Sequence, residues 1–304
     1  MNKPALLILA GGLGSRYKGS KQTDLINNQE SLMEFGLYDA LKSGIRKFVI
    51  VVNPEFSEEF KNRIQKILNE NSAEVYFEIQ TLTKFVPEEF HEKIKNRKKP
   101  LGTAHAVLCA KELINQPFIT MNADDFYGRK TFETAFDFIN NSGISEHKYG
   151  LISFEIKKTL SENGTVSRGI CSDENGFLKS VEEFTEIQKI KNKIVGKNTH
   201  NQFFELNEND KVSMNFWLLH PSFFEICESF LNDFLNEQDD LNKTECYLPA
   251  VIDDSIQKNK IDVRLLETTE KWMGLTYRED RETVENQINK LKEHQIYPIN
   301  LWQN

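Results

Sequence analysis

The stretch Leu6-Leu7-Ile8-Leu9-Ala10-Gly11-Gly12-Leu13-Gly14-Ser15-Arg16, with Lys21 shortly after it, decides how this chain folds. The unbroken apolar run Leu6 to Leu9 suits a strand covered on both faces, as strands of a parallel sheet are. Glycines at 11, 12 and 14 let backbone N–H groups close on a polyphosphate, and Arg16 and Lys21 add permanent positive charge. A guanidinium forks across phosphate oxygens, whereas an ammonium acts as a mobile point charge. The expectation is Arg16 on the leaving phosphates and Lys21 on the reacting one. Two better-known phosphate loops do not fit. A dinucleotide fingerprint needs its third glycine where Tyr17 stands, and a Walker A reading of Gly14 and Gly19 fails because Ser20 precedes Lys21.

Outward from this loop, apolar runs at 5–10, 47–52, 74–79 and 117–122 are separated by amphipathic helical segments. Such alternation predicts an α/β chain with a mainly parallel central sheet flanked by helices. Ser31 and Glu34 spell a capping box for the first helix, Gly44 its stop, and Leu32, Phe35, Leu41 and Ile45 its core face. A second helix over 57–69 presents Phe60, Ile64, Ile67 and Leu68 on one side. The polar segment 81–100, ending in Lys93, Lys95, Arg97, Lys98 and Lys99, reads as an insertion: a solvated loop, or a lid whose cations hold a phosphorylated substrate. Beyond Gly150 the texture becomes α+β, with strands at 149–156, 166–171, 177–181 and 261–266, helices around 222–235, 244–258 and 280–294, and a polar stretch at 185–210.

Composition narrows the function classes. A net charge of −8 and a pI near 5.5 argue against a broad nucleic-acid or anionic-membrane surface. Without an export segment at Met1 or a run of about eighteen apolar residues, a cytoplasmic protein is expected. Cys109, Cys171, Cys227 and Cys246 are scattered, with no C-x-x-C pair, and read as buried free thiols.

Two further stretches carry chemistry. Ile119-Thr120-Met121-Asn122-Ala123-Asp124-Asp125 is an apolar strand ending in two carboxylates, and ligands of open α/β sheets gather at such strand ends. Oxygen ligands suit Mg²⁺, commonly kept by one or two carboxylates plus substrate phosphates, and Asp124 is the favoured ligand. For Asp125 the alternative is a cap on the following helix. In Leu101-Gly102-Thr103-Ala104-His105-Ala106-Val107 a glycine and a hydroxyl open a helix whose positive end favours anions or nucleobase carbonyls. Thr103 reads alternatively as an N-cap and His105 as a satisfied interior residue.

With these three stretches the chain resembles the sugar-nucleotide pyrophosphorylases. Their L-A-G-G-x-G-[ST]-R and downstream lysine are matched by Leu9 to Arg16 with Lys21, their L-G-T-[AG]-H-A by Leu101 to Ala106, and their strand-end aspartate by Asp124. The resemblance implies a GT-A-like, Rossmann-like nucleotidyltransferase fold in a single domain over 1–304, with a nucleotide-binding half at 1–150 and an α+β sugar-binding half at 151–304. In it Leu9, Ala10, Gly11, Gly12, Gly14 and Ser15 would line the nucleotide, and Gln80, Gly102 and Thr103 would approach a pyrimidine base. Arg16 would hold the β- and γ-phosphates, Lys21 the α-phosphate and Asp124 the Mg²⁺. The implied reaction is in-line attack by a sugar 1-phosphate on the α-phosphorus of UTP or dTTP, with pyrophosphate leaving and no protein nucleophile required.

In the second half the likeness thins to Gly164 to Gly169, Val181-Glu182-Glu183 and Val212 to Trp217, with Gly169, Glu182 and Asn215 the implied sugar contacts. Phe184 stands where such enzymes often carry a lysine, and 272–276 contains neither aspartate nor asparagine for a late metal ligand, leaving Thr276, Asp280 or water. An alternative acceptor is therefore a phosphorylated alcohol or amine such as phosphocholine. A reading of another class is a non-catalytic nucleotide binder. The implied partners are a pyrimidine nucleoside triphosphate and a sugar 1-phosphate, with no nucleic acid and no membrane; a homo-oligomer is allowed.

Overall fold

Strand β1 (Ala5–Ala10) is buried along its whole length and pairs in parallel on both sides, as its apolar run requires. The computed structural model describes residues 3–12, 24–27, 29–238, 240–242 and 244–303. Leu13, Gly14, Ser15, Arg16 and Lys21 lie outside the described residues. After β1 come the ribbon β2 (Leu25–Ile26) and β3 (Glu30–Ser31), helix α1 (Leu32–Lys42), β4 (Lys47–Val52), α2 (Glu58–Glu70), β5 (Glu74–Ile79), α3 (Glu88–Ile94), α4 (Thr103–Cys109) and β6 (Phe118–Asn122). The order β5-β4-β1-β6 is parallel throughout. The capping box of Ser31 and Glu34 is formed, and Gly44, at φ +98°, follows the C-cap Ser43.

The second half comprises β7 (Asp125–Phe126), α5 (Arg129–Ser142), β8 (Lys148–Glu155), β9 (Val166–Glu174), β10 (Phe177–Ile190), β11 (Lys193–Lys197), β12 (Phe203–Leu206), β13 (Lys211–Leu219), α6 (Phe223–Glu237), α7 (Leu248–Gln257), β14 (Asp262–Glu267), β15 (Met273–Gly274) and α8 (Asp280–Glu293). Strand β13 runs antiparallel between β6 and β8 and joins the halves into one sheet, of eleven strands among the described residues. Parallel pairing returns at β8 and β14, while β9 to β12 are antiparallel, which is the mixed texture expected beyond Gly150. One core fills the face under α4, α6 and α7; the other fills the face under α1, α2 and α5. The cysteines are unpaired, three buried and Cys171 half-buried. Among the described residues no helix is long and apolar enough to cross a membrane.

One expectation is corrected. The segment 81–100 is not a solvated loop: it carries α3, and Val86, Phe90 and Ile94 are buried in the first core. Arg97, a member of its basic run, is 4% exposed and donates to the carbonyls of Lys99, Pro100 and Leu241, so its cation is committed to the fold. The polar stretch 185–210 carries the end of β10 together with β11 and β12, whose inward Ile187 and Ile194 are buried while the other face meets water.

A third, smaller cluster packs α1 against β7, α8 and the C-terminal segment, and within it Asp39 is 1% exposed. Tyr297 Oη donates to Asp39 Oδ2 at 2.6 Å, and Arg129 Nε lies 3.5 Å from Oδ1. Burial pushes this carboxyl up to about 7 from an ordinary 3.8, against the pull of Tyr297 and Arg129. Between those values the folded chain holds a proton that the unfolded chain has lost, so this group's contribution to stability falls as pH rises through that window. In Asp39→Asn the decline in urea midpoint between pH 4 and 7 is expected to flatten; an unchanged slope assigns it to other groups.

Candidate active site

At the end of β1 the chain turns at Gly11 beneath Gln80, which directly follows β5 and is 6% exposed. The Gln80 N–H donates to Val52 O at 2.8 Å, and its Nε2 donates to Gly102 O at 3.2 Å and meets His105 Nδ1 at 3.2 Å. A methyl group added to Gly11 would overlap Gln80 Oε1, which would have to shift, so the glycine lets the Gln80 amide lie against the end of β1. Gly102 is the N-cap of α4, at φ +116°, and a side chain on it would overlap the backbone of Cys246. That contact belongs to a tie between the halves: Cys246 N–H donates to Leu101 O at 2.7 Å and Ala104 N–H to Cys246 O at 3.0 Å. Thr103 does not cap its own helix. Its Oγ1 accepts the Leu248 N–H, 2.9 Å away at the start of α7, so the hydroxyl is committed to the other half of the chain. His105 is 1% exposed, with Nε2 at 2.7 Å from Lys84 O, and burial lowers its pKa. The interior reading of His105 therefore holds.

Beside β1, the carboxyl end of β6 carries the two aspartates. Ala123 N–H donates to Leu9 O at 3.1 Å, and half-buried Asp124 follows. Asp125 is 5% exposed, and its Oδ2 accepts from Asn122 Nδ2 at 2.8 Å with Tyr127 Oη at 3.3 Å. Neither aspartate caps the next helix, because α5 begins at Arg129 with Gly128 as its N-cap. Strand β15 pairs Gly274 with Asp125, and Leu275 N–H reaches Asp124 O at 3.4 Å, so the late segment does come alongside the aspartates. Asp280 is not available there as a metal ligand. Its Oδ1 accepts from Ser161 Oγ (2.7 Å) and Asn163 Nδ2 (2.9 Å), its Oδ2 from the N–H groups of Thr276 (3.1 Å) and Tyr277 (2.7 Å). No group of three His, Cys, Asp or Glu among the described residues could hold a metal. The donors present suit a hard cation that takes one protein carboxylate and completes its shell with substrate phosphates and water, as Mg²⁺ does.

Asn215, expected at the acceptor side, stands on a bulge in β13. Its register against β8 shifts between Ser213 and Trp217, and Asn215 stands at φ +59°. Thr120 of β6 staples the bulge, donating through Oγ1 to Asn215 O at 2.6 Å and accepting the Trp217 N–H at 3.1 Å. Asn215 Nδ2 thereby reaches Asn122 Oδ1 at 3.3 Å, at the aspartate end of β6. Gly169 lies in β9 opposite Ser213 on one side and Glu183 on the other, and a methyl group on it would sit 2.9 Å from Val181 Cγ2.

The structure separates the two members of the glutamate pair, of which Glu182 is the expected sugar contact. Glu182 is engaged by Thr199, whose hydroxyl donates to Oε1 at 2.8 Å. Its neighbour Glu183 points to the opposite face, as successive strand residues do, and burial pushes its carboxyl up to about 7 although Arg168 pulls it down. Arg168 stacks on Trp272 at 4.5 Å from the ring centroid. The adjacent glutamates in the sequence gave no means of choosing between the faces; the strand's phase decides. Phe184, which stands where such enzymes often carry a lysine, is 8% exposed, with its ring centroid 6.1 Å from that of Phe204.

Comparison with known proteins bears on this arrangement. The model of the nucleotidyl transferase family matches residues 5–273. No protein of curated function matches the chain in sequence. Among solved structures, the inositol-1-phosphate CTP transferase from T. maritima is similar at 14% identity and a TM-score of 0.60, over 96% of this chain and 98% of that one. A UDP-glucose pyrophosphorylase complexed with UDP-glucose is similar at 15% and 0.55, over 95% and 99%. A Bacillus anthracis protein described as a glucose-1-phosphate thymidylyltransferase is similar at 13% and 0.61, over 93% and 94%. At such identities the likeness establishes the fold.

Proposed function

We propose that this chain, which belongs to the nucleotidyl transferase family, moves a nucleoside monophosphate from UTP or dTTP to a sugar 1-phosphate, releasing pyrophosphate and forming a nucleoside diphosphate sugar. The observation that carries the reading is convergence at one end of the sheet: Gly11, Gln80 and Gly102 stand at one side, Asp124 lies beside β1, and the β13 bulge brings Asn215 onto Asn122. Three segments distant in sequence thus gather around the carboxyl ends of β1 and β6, and ligands of such sheets bind at strand ends of this kind, which supports the reading.

In the proposed reaction an oxygen of the acceptor phosphate attacks the α-phosphorus, the bond to the bridging oxygen breaks, and that oxygen leaves with pyrophosphate. Gly11 and Gly12 bring backbone to the nucleotide, Leu9 and Ala10 end the strand that supports them, and Gln80, Gly102 and Thr103 meet the base, the last through backbone. Gly14, Ser15, Arg16 and Lys21 complete the triphosphate cradle, with Arg16 on the leaving phosphates and Lys21 on the α-phosphate. Asp124 would hold Mg²⁺, which when bound neutralises developing charge on the phosphates. Gly169, Glu182 or Glu183, and Asn215 position the acceptor. Positioning and charge supply the catalysis, and no side chain needs to become covalently bound.

The buried Phe184 favours a second reading in which the acceptor is a phosphorylated alcohol or amine, since the cation that a sugar phosphate would use at this position is absent. One experiment separates these. Purified protein is offered UTP, dTTP and CTP against a panel of hexose 1-phosphates, inositol 1-phosphate and phosphocholine with Mg²⁺, and pyrophosphate release is followed. Release with a hexose 1-phosphate is expected; release only with the alcohol or amine phosphates selects the second reading, and silence across the panel from folded protein leaves a non-catalytic nucleotide binder.

A further inference from the structure

His105 lies in none of the roles assigned so far, yet it holds Gln80. Its Nε2 is 2.7 Å from the Lys84 carbonyl, which can only accept, so the ring proton sits on Nε2. Burial keeps the ring neutral, which leaves Nδ1 with a lone pair. That lone pair and the Gly102 carbonyl both lie 3.2 Å from the same Gln80 atom. Two acceptors require a donor between them, so the amide nitrogen stands there and Oε1 is turned toward Gly11. Reversing the amide would set its oxygen against two lone pairs. Among the described residues Oε1 accepts no hydrogen bond.

We propose that His105 is a positioning residue for base selection: it locks the Gln80 amide so that the nucleotide crevice presents a carbonyl-type acceptor, which selects bases bearing an N3–H, uracil or thymine, over cytosine. Uracil and thymine carry a donor at N3, whereas cytosine has a lone pair there and would oppose Oε1. This rests on the crevice being the nucleotide site of the proposed function. Discrimination by a buried polar group of this kind is large because the wrong base leaves it unpaired.

The test uses equilibrium binding, so that it stands apart from turnover. Calorimetry with UTP and CTP in the presence of Mg²⁺ should give the wild type a preference for UTP of at least about a hundredfold. In His105→Leu the ratio of the two dissociation constants is expected to fall about tenfold, the scale of one misdirected hydrogen bond. His105→Asn, whose Oδ1 can stand where Nδ1 stands, should restore it. A merely structural histidine would weaken both nucleotides equally and leave the ratio unchanged, which overturns the proposal. So does a wild type that binds CTP as well as UTP, even if it transfers nucleotides. Should His105→Leu fail to fold, nitrogen NMR of labelled wild-type histidine decides: a proton on Nδ1 overturns the lock. Absence of binding by either nucleotide overturns this proposal and the proposed function together, whereas selective binding without pyrophosphate release overturns only the latter.

Discussion

Asp124→Asn is expected to lower turnover by at least about a hundredfold while leaving the melting temperature within a few degrees, on the scale of losing one charge contact made in the transition state. Asparagine keeps the size and the backbone contacts, Leu275 N–H on the Asp124 carbonyl included, and removes only the negative charge that a cation would need. The adjacent Asp125→Asn should do the reverse. Its carboxylate gathers Asn122 Nδ2 and Tyr127 Oη in a nearly water-free setting, so the change should reach stability first and turnover through it. Steady-state kinetics over a Mg²⁺ titration, paired with thermal melts of both variants, separate the two carboxylates. Turnover of Asp124→Asn within about fivefold of wild type would place the reacting phosphates elsewhere in the crevice.

That two neighbouring aspartates differ so sharply marks the boundary of what the sequence carries. The strand ending at Asn122, the strand before Gly11 and the capping box at Ser31 each follow from signals within a few residues, and each is found where it was expected. Local pattern fails where a side chain's role is set by a partner far along the chain. Thr103 looks like an N-cap, and its hydroxyl in fact receives an N–H from Leu248, 145 residues away. Arg97 sits in a run of surface lysines and reads as one of them, yet it anchors on the Leu241 carbonyl. The ribbon at 185–210 was illegible for a different reason: a strand with one face in water shows alternation only weakly when its outer positions are charged, and Ile187 and Ile194 are too sparse to announce it. The glutamate pair shows the limit most plainly, since one residue of phase exchanges the faces that Glu182 and Glu183 present.

Gly102→Ala should be the most destabilising of the small substitutions at the crevice, by about 3 kcal/mol in urea unfolding. Two effects add. The backbone there, at φ +116° and ψ 179°, lies in a region that residues other than glycine enter only with strain of about 1–3 kcal/mol. Beyond that, the added methyl would overlap the Cys246 backbone, which cannot step aside without loosening the hydrogen bonds that join Leu101 and Ala104 to it. Gly143→Ala is the control that separates them: that glycine is also at positive φ, +65°, but a methyl there meets nothing within 4 Å. Strain alone should then cost about 1–2 kcal/mol at Gly143. Because the overlap at Gly102 pushes on the segment that leads into α7, the same variant should also weaken nucleotide binding, whereas Gly143→Ala should leave binding untouched. Equal losses of stability at the two positions would mean that the Cys246 backbone yields freely, and that the tie between the halves is slack enough to move during a catalytic cycle.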